Sequence, residues 1–245
     1  MQKIVAIANQ KGGVGKTTTS VNLATSLALL GQQVLLIDLD PQANATSGLG
    51  IVPAELLKSV YDCVVGGGLV QEAVVPTAVA GLNLLPANAD LAGAEIELVA
   101  VDQRELTLKR ALSRGNVGTY DVIIIDCAPA LGLLTINALV AASSLLIPVQ
   151  CEYYAMEGLG RLLATVERVK SSFNPELQIE GILLTMYDSR NSLAKQVVEE
   201  VRGHFQSKVY KTVIPRNVSL AEAPSYGRPA LLYNASSAGA LAYQE

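Results

Sequence analysis

Lys11-Gly12-Gly13-Val14-Gly15-Lys16-Thr17-Thr18 stands between an apolar run, Ile4-Val5-Ala6-Ile7-Ala8, and a helix-like run from Thr19 to Leu30. A strand, a glycine-rich turn and a helix in that order make a phosphate-binding loop. Backbone N–H groups and a helix N-terminus converge there on anionic oxygens. The loop departs from the ordinary Gly-x-x-x-x-Gly-Lys-Thr spacing. Its first glycine would fall at Gln10, and a second lysine, Lys11, stands five residues before Lys16. One lysine suffices to hold the β- and γ-phosphates, so Lys11 needs an explanation of its own.

Short apolar runs alternate with helical patterns along the rest of the chain. Strands are expected near 3–9, 33–38, 82–86, 121–126, 144–149, 180–187 and 209–214, and helices near 16–30, 103–113, 132–142, 154–172 and 192–205. This alternation predicts an α/β fold, a doubly wound, mostly parallel sheet flanked by helices, as one domain over residues 1–245. The runs Val34-Leu35-Leu36-Ile37 and Val122-Ile123-Ile124-Ile125 lack polar alternation, as strands covered on both faces should. The stretch from Leu133 to Val149 is interrupted by Asn137, Ser143, Ser144 and Pro148. It therefore reads as a helix and then a buried strand, not a membrane span. Gly66-Gly67-Gly68 marks a surface turn, and Ser236-Ser237-Ala238 starts a capped final helix.

With 245 residues, half of them hydrophobic and none of them Trp, the chain can bury a large aliphatic core. Its net charge of −4 gives no bulk attraction to nucleic acid. Segment 161–230 is the exception, with ten Lys/Arg against seven acids. Cys63, Cys127 and Cys151 are widely spaced and His204 is the sole histidine. That set disfavours zinc or an iron–sulfur site within one chain and fits a reducing cytoplasm. The N-terminus runs straight into a strand, without a signal-peptide pattern.

Three carboxylates stand at strand exits, where doubly wound sheets bind ligands. Asp126 ends Val122-Ile123-Ile124-Ile125, and with the Thr17 hydroxyl it is the expected Mg²⁺ pair. Asp38 and Asp40 follow the second strand. Either could orient an attacking water or assist the metal, or simply cap a loop. The neighbouring phosphate loop favours a functional role for Asp126 and Asp40.

The ordered set of motifs resembles the ParA/Soj family of partition ATPases with a deviant Walker A motif, in the same superfamily as MinD. The resemblance rests on the Lys11–Thr18 loop, Asp38-Leu39-Asp40-Pro41-Gln42, residues 44–50 (Asn-Ala-Thr-Ser-Gly-Leu-Gly) and Ile125-Asp126-Cys127-Ala128-Pro129. It continues through residues 148–158, Leu184-Thr185-Met186-Tyr187-Asp188, Val213-Ile214-Pro215-Arg216-Asn217 and Glu222-Ala223-Pro224-Ser225. It covers residues 1–243. It implies an ATP-bound homodimer in which Lys16 grips its own nucleotide and Lys11 reaches the partner's phosphates. Gly12 then lies where the chains approach most closely, and Asp40 prepares the hydrolytic water and assists the metal. Gly13, Val14, Gly15, Thr18, Met186 and Pro215 are implied nucleotide contacts, and ATP and Mg²⁺ the implied cofactors. Adenine is preferred on the family's account, since no Asn-Lys-x-Asp run is present.

The resemblance also implies a cycle. The ATP dimer binds nonspecific double-stranded DNA, and a ParB-like protein stimulates slow hydrolysis and release. The expected location is cytoplasmic and nucleoid-associated. Such binding needs phosphate contacts, for which Arg190, Lys195, Arg216, Lys208 and Lys211 are candidates. The chain departs from its relatives at Ser219, where many carry arginine, and in Asn234-Ala235-Ser236-Ser237-Ala238, often basic elsewhere. Ala128 and Ala130 also replace the usual Pro and Ser. A ParA-like positioner of another cargo is an alternative. A MinD-like membrane ATPase is a weaker one, because Leu231 to Glu245 contains no Lys or Arg for a basic amphipathic helix, and no stable membrane association is expected.

Overall fold

The computed structural model describes residues 2–115, 117–152 and 155–245, the side chains of Ala155 and Glu157 excepted. Tyr153 and Tyr154, part of the motif over 148–158, lie outside the described residues. The eight strands are β1 Lys3–Ile7, β2 Val34–Leu39, β3 Val75–Pro76, β4 Leu82–Leu85, β5 Val122–Cys127, β6 Ser144–Gln150, β7 Gln178–Tyr187 and β8 Val209–Pro215. They form one sheet in the order β3-β4-β2-β5-β1-β6-β7-β8. Every pairing is parallel except the short β3–β4 ladder. The long helices follow strands, as parallel crossovers require. They are α1 Lys16–Leu29 after β1, α7 Leu133–Ala141 after β5, α8 Ala155–Ser172 after β6 and α9 Ser192–Phe205 after β7. Shorter helices fill the remaining connections: α2 Asn44–Gly48, α3 Val60–Val64, α4 Val70–Ala73, α5 Leu91–Glu97 and α6 Thr107–Arg114. The last three are α10 Val218–Glu222, α11 Ala230–Tyr233 and α12 Ala238–Gln244.

The central strands are apolar on both faces because both faces are covered. Leu35, Ile37, Ile123 and Ile125 pack on the α7 side of the sheet. Val34, Leu36, Ile124 and Ile7 pack with α1 on the other. Each such fully buried side chain contributes about 1.5–3 kcal/mol. Strand side chains alternate with period two, so Asp38 and Asp126 share the α1 face with Leu36 and Ile124. The parallel register places Asp38 level with Asp126, and Ile7 level with Asp126 on its other side.

The expected strands and the five expected helices are all present. The sequence reading lacked β3, a two-residue strand containing Pro76, and the short helices between residues 44 and 100, whose packing is tertiary. The final helix starts as expected, with the Ser237 side chain accepting from the Ala240 N–H. The buried Tyr243 then joins α12 to α1 through a 2.9 Å hydrogen bond with Thr19.

A close backbone crossing joins the loop after α2 to the loop before α11. Gly50 and Gly227 both have positive φ, +81° and +61°. A Cβ on Gly227 would lie 2.6 Å from the Gly50 Cα. Gly227→Ala is expected to destabilise the protein by about 1–3 kcal/mol, from backbone strain and collision together. Gly203→Ala, in an open position on α9, should instead add about 0.5–1 kcal/mol through helix propensity. Urea unfolding of the two variants checks the opposite signs.

Candidate active site

The phosphate loop leaves β1 and is fixed from both sides. Buried Asn9 donates through Nδ2 to the Pro148 carbonyl at 2.7 Å, and its Oδ1 accepts from the Lys11 N–H at 3.0 Å. From β7, the Thr185 hydroxyl donates to the Val14 carbonyl at 2.8 Å. Gly13 and Gly15 adopt φ of +71° and +86°, a region that glycine enters without steric cost. Gly15 thus turns the chain into α1, leaving the helix's first N–H groups free of side-chain caps.

Lys16 opens α1 and is only 6% exposed. Its Nζ donates to the Lys11 carbonyl at 3.2 Å. Burial lowers its pKa, and the charges of Asp126, Cys127 and Asp40 oppose that shift. Thr17 and Thr18 are half-buried beside it. Thr18 separates two clefts. One, of about 160 Å³, is lined by Gly15, Thr185, Met186, Pro215 and Arg216. The other, of about 430 Å³, adjoins Thr17, Asn44, Ser47, Pro224 and Arg228. Met186 and Pro215 therefore meet at the wall of a cleft that opens onto the loop. Met186 holds a φ of +53°, uncommon for a residue other than glycine.

The three carboxylates have different surroundings. Asp126 is fully buried. Its Oδ1 accepts from the Ser20 hydroxyl at 2.7 Å, and Ser20 also lies 3.0 Å from the Lys16 carbonyl. Its Oδ2 is buried with no hydrogen-bond partner. Such an oxygen is costly unless a cation completes it. No cluster of three His, Cys, Asp or Glu ligands exists among the described residues. One carboxylate beside a threonine hydroxyl is a donor set that fits Mg²⁺, which keeps waters and phosphate oxygens as its other ligands. Burial and then the charge of Asp38 raise the Asp126 pKa, against the Ser20 hydrogen bond and the nearby Thr17 hydroxyl.

Asp38 is equally buried, but both its oxygens are engaged. Oδ2 accepts from the Thr46 N–H at 2.8 Å and the Thr46 hydroxyl at 2.7 Å, and Oδ1 accepts from the Asp40 N–H at 3.2 Å. Burial raises its pKa too, with the Thr46 bonds opposing. Asp38 is thus a loop cap. Asp40 is 6% exposed and uses Oδ1 to accept from the Gln42 N–H at 2.9 Å. It sits at the entry to a turn where Ala43 holds a φ of +51°.

Lys11 Nζ lies 3.3 Å from Glu152 Oε2. Gly12 is exposed, and a Cβ there would meet nothing nearer than Pro129 Cβ at 3.9 Å. The basic candidates divide by position. Arg190 follows the carboxyl end of β7, in a two-bond pair with Asp188 at 2.9 and 2.8 Å. Lys195 is exposed on the first turn of α9, and Arg216 follows β8. Lys208 precedes β8, roughly 26 Å from Arg216 along the strand, and Lys211 lies near that same end. Those two border an open groove with Arg202 and Glu180.

Asn9, Ser20, Thr46, Thr185 and Glu152 carry much of this geometry and were not assigned from sequence. Ser20 was within reach, since it falls one helical turn after Lys16. Asn9 directly precedes the loop. Thr46, Thr185 and Glu152 lie inside motifs already recognised, but their partners are 8, 171 and 141 residues away.

Comparison with known proteins places this geometry in context. The family model described as an AAA domain matches residues 2–179. Soj of Bacillus subtilis (strain 168), a sporulation initiation inhibitor protein, is 59% identical over 243 residues, covering 99% of this chain and 96% of Soj. The chromosome partitioning protein ParA of Myxococcus xanthus is 54% identical over 241 residues, 98% of this chain and 85% of ParA. Among solved structures, a protein named cobyrinic acid a,c-diamide synthase from Mycobacterium smegmatis, with bound ATP analog and magnesium, superposes with a TM-score of 0.87. It shares 41% identity and covers 100% of this chain and 92% of its own.

The raised pKa of Asp126 has a testable sign. A carboxyl that is harder to ionise when folded stabilises the fold while protonated, and loses that contribution as pH rises from the ordinary carboxylate range toward neutrality. Without divalent metal, the thermal midpoint should decline over that window. Asp126→Asn, which cannot ionise, should flatten the decline, leaving the part due to Asp38. Parallel curves for the two proteins would reject the assignment.

Proposed function

The chain belongs to the Soj/ParA family of chromosome-partitioning ATPases, and on that premise we propose that ATP closes two copies of it into a sandwich that binds DNA. The proposal extends to a ParB-like partner that triggers hydrolysis and release. The chain is an ATPase that uses ATP and Mg²⁺. The Mycobacterium neighbour is called a synthase, but the higher identities lie with partition proteins.

The observation that carries the dimer is the divergence of two lysines on one loop. Lys16 is buried against its own loop, whereas the Lys11 ammonium is partly exposed and pairs with Glu152. A cation facing outward beside a phosphate site suits a phosphate of a neighbouring copy, by the logic of an arginine finger. Gly12 supports this reading. Nothing in its own chain forbids a Cβ, so the need for glycine is assigned to a second chain.

Within each copy, Lys16 and the N–H groups of residues 13–18 hold the phosphates, and Met186 and Pro215 border the base. Thr17 and Asp126 hold Mg²⁺, which neutralises charge on the phosphate oxygens when bound. Asp40, nearly buried and beside Asp38, is the group that orients water and assists the metal. DNA phosphates are met by Arg190, Lys195 and Arg216, which lie at the carboxyl edge of the sheet with the nucleotide. Asp188 offsets part of the Arg190 charge, and Ser219 accepts a hydrogen bond from Asn234 where relatives carry a cation. Lys208 and Lys211 form a separate patch at the opposite end of β8. The protein is cytoplasmic and nucleoid-associated on this reading. None of the described helices is long and apolar enough to cross a membrane.

A DNA-binding titration with ADP, ATP and a slowly hydrolysed analogue tests the reading. Binding should require ATP or the analogue and weaken steeply with salt. A shift that is independent of nucleotide would sink it. Asp40→Ala should bind ATP normally yet lose most hydrolysis and remain on DNA; turnover at the parent rate would remove Asp40 from the mechanism. Gly12→Val should bind ATP but stay monomeric in light scattering.

A further inference from the structure

Glu152 lies just beyond β6, on the loop to α8, and stands between two cations. Its Oε2 is 3.3 Å from Lys11 Nζ, and its Oε1 is 3.9 Å from the Arg216 guanidinium. Gln150 Nε2 donates to the same Oε1. Both cations have another destination in the sandwich proposed above, on which this inference rests. Lys11 is to meet the partner's phosphates, and Arg216 is to meet DNA.

We propose that Glu152 is a positioning residue that holds the Lys11 ammonium inside its own protomer, so that dimer formation must exchange this carboxylate for a phosphate of the neighbouring copy. The Lys11 backbone is fixed by Asn9, and its carbonyl accepts from Lys16. The side chain can swing, and an ammonium that moves to a phosphate on the facing chain leaves the 3.3 Å contact with Glu152. Among the described residues, Lys11 has no other ion-pair partner. The exchange is cheap enough to be reversible, because both side chains are partly exposed, 38% for Lys11 and 47% for Glu152. Pairs of that kind shift equilibria by about two- to five-fold. The same carboxylate lies 3.9 Å from Arg216, which is 63% exposed, so its release from Lys11 also alters the charge beside that arginine. Glu152 thereby acts as a threshold on nucleotide concentration.

The test is light scattering of the full chain titrated with a slowly hydrolysed ATP analogue. In Glu152→Gln the analogue concentration for half-dimerisation should fall by about two- to five-fold at low salt, and the gap should close at high salt, where exposed pairs are screened. Glu180→Gln is the control. It loosens the Lys3–Glu180 pair at the far end of the strands and should leave the threshold in place. An unchanged or raised threshold in Glu152→Gln overturns the proposal; a raised one would assign Glu152 to the dimer contact itself. A double-mutant cycle of Lys11→Ala and Glu152→Gln, read as thermal midpoints without nucleotide, tests the contact independently. Non-additive midpoints are expected, and additive ones overturn the proposal. Should the parent never dimerise with the analogue, the sandwich reading fails and this inference with it. The cycle would then still report whether the pair forms, which separates the two failures.

Discussion

Two carboxylates level with one another on neighbouring strands, under one buried lysine, are the constraint on which this site depends. Asp38 and Asp126 face the same side of the sheet because strand side chains alternate and the β2–β5 register is exact to the residue. Both are removed from water, the charge of Asp38 disfavours that of Asp126, and the charge of Asp40 disfavours that of Asp38. The fold resolves this asymmetrically. Asp38 is hydrogen-bonded by Thr46 and the Asp40 backbone, whereas Asp126 retains one oxygen without a partner. One carboxylate is therefore structural and the other is left available for a cation. Lys16, whose own burial opposes its charge, is a compensating positive group for Asp126. Removing Lys16 would leave that carboxylate uncompensated in a region of low polarisability.

The Asp38–Thr46 contact also determines how the site reaches the rest of the molecule. Thr46 is the middle of α2, and its hydroxyl accepts from the Ala87 N–H at 3.0 Å. The loop from Asp40 to Gly50 is thus held at its base and carries Asp40 near its start. At its far end Gly50 crosses Gly227, which leads into the segment from Arg216 to Ala230. Strand exits, loop and C-terminal segment are consequently in continuous contact around the second cleft, whose walls are α1, α2 and residues 223–230.

The alternation of apolar runs and helical periods made the sheet, its parallel character and its long helices legible, because each of those elements is amphipathic or doubly buried by itself. Between 44 and 100 the strand near 82–86 was legible but the helices were not, since they are four to seven residues long and depend on the sheet for their stability. The phosphate loop and Asp126 were readable because strand, turn and helix chemistry coincide there. Asp40 was set apart from Asp38 by the family resemblance and not by local pattern, as both follow one apolar run. Their difference lies in a partner, Thr46, whose hydroxyl could equally have faced solvent. The placement of the basic residues was partly readable. Lys208 precedes a parallel strand and Arg216 follows it, which alone assigns them to opposite edges of the sheet. The pairing of Arg190 with Asp188 follows from their spacing of two at a strand exit.

The glycines of the loop extend this argument beyond one chain. Gly13 and Gly15 are required by their backbone angles, and a larger residue would strain the turn regardless of surroundings. Gly12 has neither a positive φ nor a neighbour close enough to exclude a side chain. A protomer in isolation gives no steric reason for it, just as Lys16 leaves no chemical reason for Lys11. Two adjacent residues that the single chain does not need are better explained by one cause than by two. In the sandwich proposed above, a facing copy would supply that cause, limiting the space at Gly12 and offering a second phosphate to Lys11. The Glu152 carboxylate then accounts for where the lysine rests when no such phosphate is within reach.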